Sequence, residues 1–120
     1  MSEELSFVSK GSGGDLVRYK ESSGVRFQFK TGHGFYRIHR MPDGSESDLR
    51  TTGLTPDRIE TEIIADLLLF LDSGGELPVL GEDFRMPLQR EVLIERHRLA
   101  YRIVELTDGT VSVGTYFALL

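Results

Sequence analysis

The sequence predicts an α+β fold in which an antiparallel β-sheet, a meander plus a C-terminal hairpin, packs against one main amphipathic helix. Three observations predict it. Residues 55 to 72, TPDRIETEIIADLLLFLD, carry the long helical pattern of the chain. Residues 16 to 40 alternate apolar and polar side chains as half-buried strands do, and residues 98 to 119 flank a Thr-Asp-Gly turn with β-formers. At 120 residues the chain has the size of one domain, 1–120, which buries about two-thirds of the surface its unfolded form exposes.

Leu5 to Val8 reads as a first short strand, followed by a glycine-rich loop, Lys10-Gly11-Ser12-Gly13-Gly14. That loop is not a phosphate cradle by its context: Lys10 precedes the glycines, and Leu16-Val17-Arg18-Tyr19 continues as a strand where a P-loop opens a helix. Residues 16 to 20 and 24 to 30 form a hairpin through Glu21-Ser22-Ser23-Gly24. In its second strand Val25, Phe27 and Phe29 face a core while Arg26, Gln28 and Lys30 face water. Phe35 to Arg40 then suggests a third strand, ended by the turn Met41-Pro42-Asp43-Gly44. The polar stretch from Ser45 to Leu54 is a loop or a short edge strand, with Asp43, Glu46 and Asp48 clustered ahead of the helix.

In the helix, Thr55 is placed to cap the first turn, Pro56 has its φ preset for the first helical position, and Asp57 and Glu60 put negative charge at the positive end of the macrodipole. Ile59, Ile63, Ile64, Leu67, Leu68, Phe70 and Leu71 share an apolar arc of roughly 180°, and Gly74-Gly75 ends the helix. An extended piece, Glu76 to Leu80, packs on the sheet edge, since Pro78 keeps Leu77 out of helical geometry. Strands follow at Leu88 to Glu95, Arg98 to Leu106 and Thr110 to Leu119, the last two joined through Asp108-Gly109.

The net charge of −5 is unevenly distributed. Residues 16 to 40 hold six basic side chains against Glu21, whereas residues 41 to 83 hold eleven acids against Arg50 and Arg58. Such separation steers charged partners; as a solvated acidic surface it also aids solubility. Without cysteine there is neither a disulfide framework nor a thiolate metal site, as in a reducing compartment. The first ten residues lack the apolar run of a secretory signal, and Leu67 to Leu71 is too short to span a bilayer. The expectation is a soluble cytoplasmic protein, with no membrane partner.

Catalytic and cofactor motifs do not assemble from the sequence. His33, His39 and His97 have no converging metal-ligand spacing and read as exposed or structural. No Gly-x-Ser-x-Gly elbow marks a nucleophile, and carboxylate pairs such as Glu60 with Glu62 have no evident apolar pocket to split their pKa values. The expectation is therefore no enzyme, no cofactor and no metal. Strand 25–30 places aromatic and cationic side chains on opposite faces, which argues against a base-stacking platform and so against a nucleic-acid partner. The polar arc of the helix is more informative. There Leu69 falls among charges, beside Glu62 and Asp66. Either the segment after Gly75 covers Leu69 and Arg58 pairs with Glu62, or an apolar anchor ringed by acids meets a basic partner.

The order of strand, SESDLR loop, ADLLLFLDSGG helix end and ELPVL, running from Tyr36 to Leu80, resembles the immunity proteins of bacterial polymorphic-toxin systems, of the actinobacterial type that guards against secreted NAD-glycohydrolase or nuclease toxins. The resemblance implies a non-enzymatic inhibitor that binds a toxin and blocks its active site. On this reading Asp43, Glu46, Asp48, Glu62, Asp66 and Leu69 are the partner-binding residues, facing a basic toxin cleft. The alternatives are a small regulatory or secretion-chaperone-like adaptor and a small-ligand-binding domain that uses the sheet face. Oligomeric state is not encoded in any of these patterns.

Overall fold

A computed structural model describes residues 4–10, 16–81 and 83–119. Its helix, α1 (Pro56–Asp72), begins where the sequence places it: Thr55 is extended and its Oγ1 accepts the Arg58 amide at 3.1 Å. Pro56 occupies the first turn, where an N–H would have no helical acceptor. At the other end the Gly75 amide donates to Phe70 and the Gly74 amide to Leu71, a pairing that requires Gly74 at φ +95. Ile59, Ile63 and Leu67 are fully buried along one side.

That side covers a six-stranded sheet of order β1-β2-β3-β8-β7-β6. The strands are β1 (Glu4–Lys10), β2 (Leu16–Ser22), β3 (Val25–Phe29), β6 (Leu88–Ile94), β7 (His97–Glu105) and β8 (Val111–Ala118). All neighbours are antiparallel except the central pair, β3 and β8, which run parallel with Phe27 opposite Val111 and Phe29 opposite Val113. The sheet is thus two contiguous three-stranded meanders joined in the middle. Phe27, Phe29, Leu99, Tyr101, Ile103, Val113 and Tyr116 form the floor on which α1 packs.

Several expectations are corrected in detail. The β2–β3 turn is the two-residue Ser23-Gly24 and not the four residues from Glu21; both take positive φ, as the twist of a tight hairpin demands. Residues 35 to 40 do not add a third strand to the meander. From Thr31 to Tyr36 the chain turns on itself, with the His33 and Gly34 amides donating to the Lys30 carbonyl and Tyr36 to Thr31. Only His39–Arg40 (β4) is extended, and it pairs with Glu46–Ser47 (β5) in a separate small ribbon. The physical reason is that β3 already has β2 on one edge and β8 on the other. The turn 31–37 instead packs beside the second half of β8: Lys30 N donates to Val113 O, and Thr115 Oγ1 donates to His33 O at 3.0 Å.

The extended piece after the helix behaves as expected. Glu105 donates to Pro78 O and accepts from Leu80 N, both at 2.8 Å, so Pro78 to Leu80 continues the sheet edge beyond the end of β6. The glycine-rich loop from Gly11 to Gly14 lies outside the described residues. Among the described residues no helix is long and apolar enough to cross a membrane.

Because Ile63 and Leu67 fill the interface between α1 and the sheet, each changed to alanine should lower the unfolding free energy by about 2–5 kcal/mol in urea titrations. A loss under about 1 kcal/mol for both would mean that α1 is not what closes the core.

Candidate functional site

The six predicted partner residues are all at least partly accessible; Asp43, Glu46 and Asp48 lie in the β4–β5 ribbon and the turn after it, and Glu62, Asp66 and Leu69 lie on α1. Asp43 sits at the tip of the β4–β5 ribbon, where the Ser45 hydroxyl and amide both donate to it and hold its carboxyl below the usual range. Glu46 faces Arg40 at 3.4 Å. Asp48 caps the short 3-10 turn Leu49–Thr51 and takes a two-pronged contact from Arg50 at 2.9 and 3.0 Å, which likewise lowers its pKa. The ribbon wraps round the end of the sheet. Arg40 and Met41 lie over the face opposite α1, Ser47 donates to the Ala118 carbonyl at 2.7 Å, and Leu49 enters the core on the helix side.

On the helix, Glu62 accepts from Arg58 at 3.1 Å, as one of the two sequence readings expects. Asp66 is held more firmly. Arg90 reaches it from β6 through two nitrogens at 2.9 and 3.2 Å, the Tyr101 hydroxyl donates to the same carboxylate, and the Arg90 guanidinium lies 4.4 Å from the Phe70 ring centre. Burial, reinforced by Asp66, pushes the Tyr101 phenol far up, so it stays a donor. Asp66 is therefore a clamp between α1, β6 and β7 before it is a surface charge. Leu69 is 71% exposed, and the segment after Gly75 does not cover it.

One carboxylate departs from its sequence reading. Glu60 is fully buried on the core side of α1, while Glu62 faces outward. Its Oε2 accepts Thr31 Oγ1 at 2.8 Å and Tyr116 OH at 2.6 Å; its Oε1 has no hydrogen bond among the described residues, although Arg18 Nη1 lies 3.5 Å away. Burial raises the Glu60 pKa, opposed by the two hydroxyls and by Arg18. The environment of Glu60 and Glu62 does split, and only the tertiary packing reveals it. Gly34 belongs to the same arrangement, since a Cβ there would stand 2.7 Å from the Tyr116 ring.

The sheet face opposite α1 carries a second feature that the sequence reading missed. Thr115 and Phe117 on β8 and Arg102 on β7 point away from the core, and the chain from His33 to Pro42 passes over them. Between them lies an open groove of about 960 Å³, lined by His33, Arg37, His39, Arg40, Arg102 and Phe117 among others. His33 and His39 are thus brought together, while His97 stands apart at the β6–β7 turn. The same face bears cation–aromatic pairs formed across strands, Arg26 over Tyr19 at 4.5 Å and Arg102 near Phe117 at 5.5 Å. Alternation along one strand cannot show these, because the partners come from different strands. Among the described residues no group of three His, Cys, Asp or Glu side chains is arranged to hold a metal.

Comparison of the chain with protein-family models, with curated proteins and with solved structures gives no match.

Two substitutions separate scaffold from surface. Glu60 binds its proton more tightly in the folded than in the unfolded state, so the part of the stability that Glu60 contributes is lost as pH rises from the ordinary carboxylate range toward the raised folded value. Glu60→Gln should therefore gain on wild type as pH rises above the ordinary carboxylate range, read as the difference in urea midpoints; parallel curves would mean that Glu60 titrates normally. Asp66→Ala strands the Arg90 guanidinium and the Tyr101 hydroxyl and should cost about 1.5–3 kcal/mol by the same assay. A neutral result there would make Asp66 a surface group only.

Proposed function

We propose that this protein is a non-enzymatic binding protein of the immunity type, which neutralises a bacterial toxin by holding it against the outward face of α1. The observation that carries this reading is Leu69. The helix already buries Ile59, Ile63, Ile64 and Leu67, so its apolar requirement is met, and Leu69 is left 71% exposed on the far side. A lone exposed leucine needs no explanation, but this one stands within an ordered rim: Glu62 is fixed by Arg58, and Asp66 by Arg90. An apolar centre beside polar groups, of which Asp66 is clamped by Arg90, is how an interface anchor excludes water at reduced ordering cost.

In this proposal Glu62 and Asp66 shape the rim, and Asp43, Glu46 and Asp48 form a separate acidic stretch that steers a basic cleft during approach. The experiment is binding kinetics against a toxin domain encoded beside this gene, at two ionic strengths. Leu69→Ala should raise the dissociation rate about tenfold and leave association nearly unchanged, while Glu46→Gln with Asp43→Asn should slow association at low salt only. Unchanged dissociation in Leu69→Ala would remove the outward face of α1 from the interface.

A further inference from the structure

We propose that the groove beneath the His33 to Pro42 segment binds a phosphate-bearing small molecule of nucleotide size. Its lining combines three arginines, Arg37, Arg40 and Arg102, with His33 and His39, and none of the described lining residues is acidic. That is unexpected in a chain of net charge −5 and reflects local arrangement, not composition. The cations are also oriented. Arg102 Nε donates to Gln89 Oε1 at 2.9 Å, Arg37 Nη1 lies 3.4 Å from His33 Nδ1, and the His39 ring leans on Phe117 with centroids 5.2 Å apart. The nearby carboxylate, Glu46, meets Arg40 at 3.4 Å, but both side chains are mostly exposed, so solvent screens the pair and an incoming anion can compete for Arg40.

The groove also offers more than charge. Phe117, Ile38 and Met41 give it apolar surface, and Gly114, the extra residue at the β8 bulge, leaves open space where a side chain would stand. A volume of about 960 Å³ is far larger than an inorganic anion requires and falls within the range of sites for small organic ligands. Several guanidinium groups around one opening match the doubly charged, multi-oxygen phosphate group better than a single carboxylate. The crowding of cations acts on His39. Burial lowers its pKa first, Arg37 and Arg102 lower it further, and the backbone carbonyl contact at Gly34 and the His33 backbone oppose them. A bound phosphate would compensate Arg37 and Arg102 and so raise the His39 pKa.

This site lies on the opposite side of the sheet from Leu69, so it stands or falls independently of the toxin-binding proposal. The test uses the full chain, with calorimetry and NMR titration of His39, and three probes: adenosine monophosphate, inorganic phosphate and adenosine. The nucleotide should bind saturably with Kd below about 1 mM and raise the His39 pKa. Phosphate and adenosine should each bind at least about tenfold more weakly. Arg37→Gln and Arg102→Gln should each weaken nucleotide binding about tenfold or more, whereas Arg98→Gln, on the same sheet face but outside the groove, and Leu69→Ala should not. No saturable binding and no movement of His39 would overturn the proposal. So would equal affinity for phosphate alone, which leaves no role for an organic body, or wild-type binding by both groove variants. Far tighter, strongly salt-dependent binding of single-stranded RNA would replace the small molecule with a nucleic acid.

Discussion

The Glu60 carboxylate is the contact on which the remaining geometry depends. It lies fully buried beneath α1, and three separate parts of the chain converge on it: Thr31 from the turn after β3, Tyr116 from β8 and Arg18 from β2. A buried ionisable group is costly unless surrounding groups satisfy it, so its neighbours are tightly constrained in position. Here those neighbours set where the 31–37 turn sits relative to the sheet. That turn then carries His33 and Arg37 to the opposite face, where Thr115 fixes the His33 carbonyl. One polar contact inside the core therefore determines the shape of a groove outside it.

The charge asymmetry of the sequence takes on a spatial form. Cations from residues 16 to 40 divide between the two faces: Arg18 and Lys20 turn toward α1 and meet Glu60, Asp57 and Thr61, while Arg26, Arg37 and Arg40 lie toward the open face or the ribbon over it. Many acids of the 41–83 stretch are absorbed by local partners, including Arg50, Arg58 and Arg90. A count of charges along the chain thus overstates the field of the acidic half. It conceals the basic face, because Arg102 joins that face from far along the sequence.

How much of this was legible depends on the range of the interaction. The limits of α1 follow from Thr55, Pro56 and the glycine pair, all of which act within one turn of the helix end, and the sequence shows them plainly. The β7–β8 hairpin is equally local, with Asp108 accepting the Thr110 amide at 2.9 Å. Phe35 to Arg40 has strand composition, yet no sheet edge is free beside β3, and strand order is set by pairings that no short window contains. Phe35 still becomes buried, so the apolar pattern reports burial correctly while missing its cause. Burial of Glu60 was hidden for a related reason. Its place in the first helical turn suits the macrodipole, and the hydroxyls that accommodate it come from positions 31 and 116. The groove was illegible throughout, since its cations and its aromatic floor belong to segments that meet only in the folded chain.

The parallel seam between β3 and β8 has a kinetic consequence. Each meander is built from strands that are neighbours in sequence, whereas the seam joins Gln28 to Ser112 across 84 positions. Bringing such distant segments together loses loop entropy before any burial repays it, so by loop-closure cost the seam should be the last of the sheet pairings to form. Until the seam closes, Phe27, Phe29 and Val113 remain open to solvent or to another chain. The helix lies between the halves in sequence and packs over both, which makes it the element that holds the closed sheet together once the halves have met.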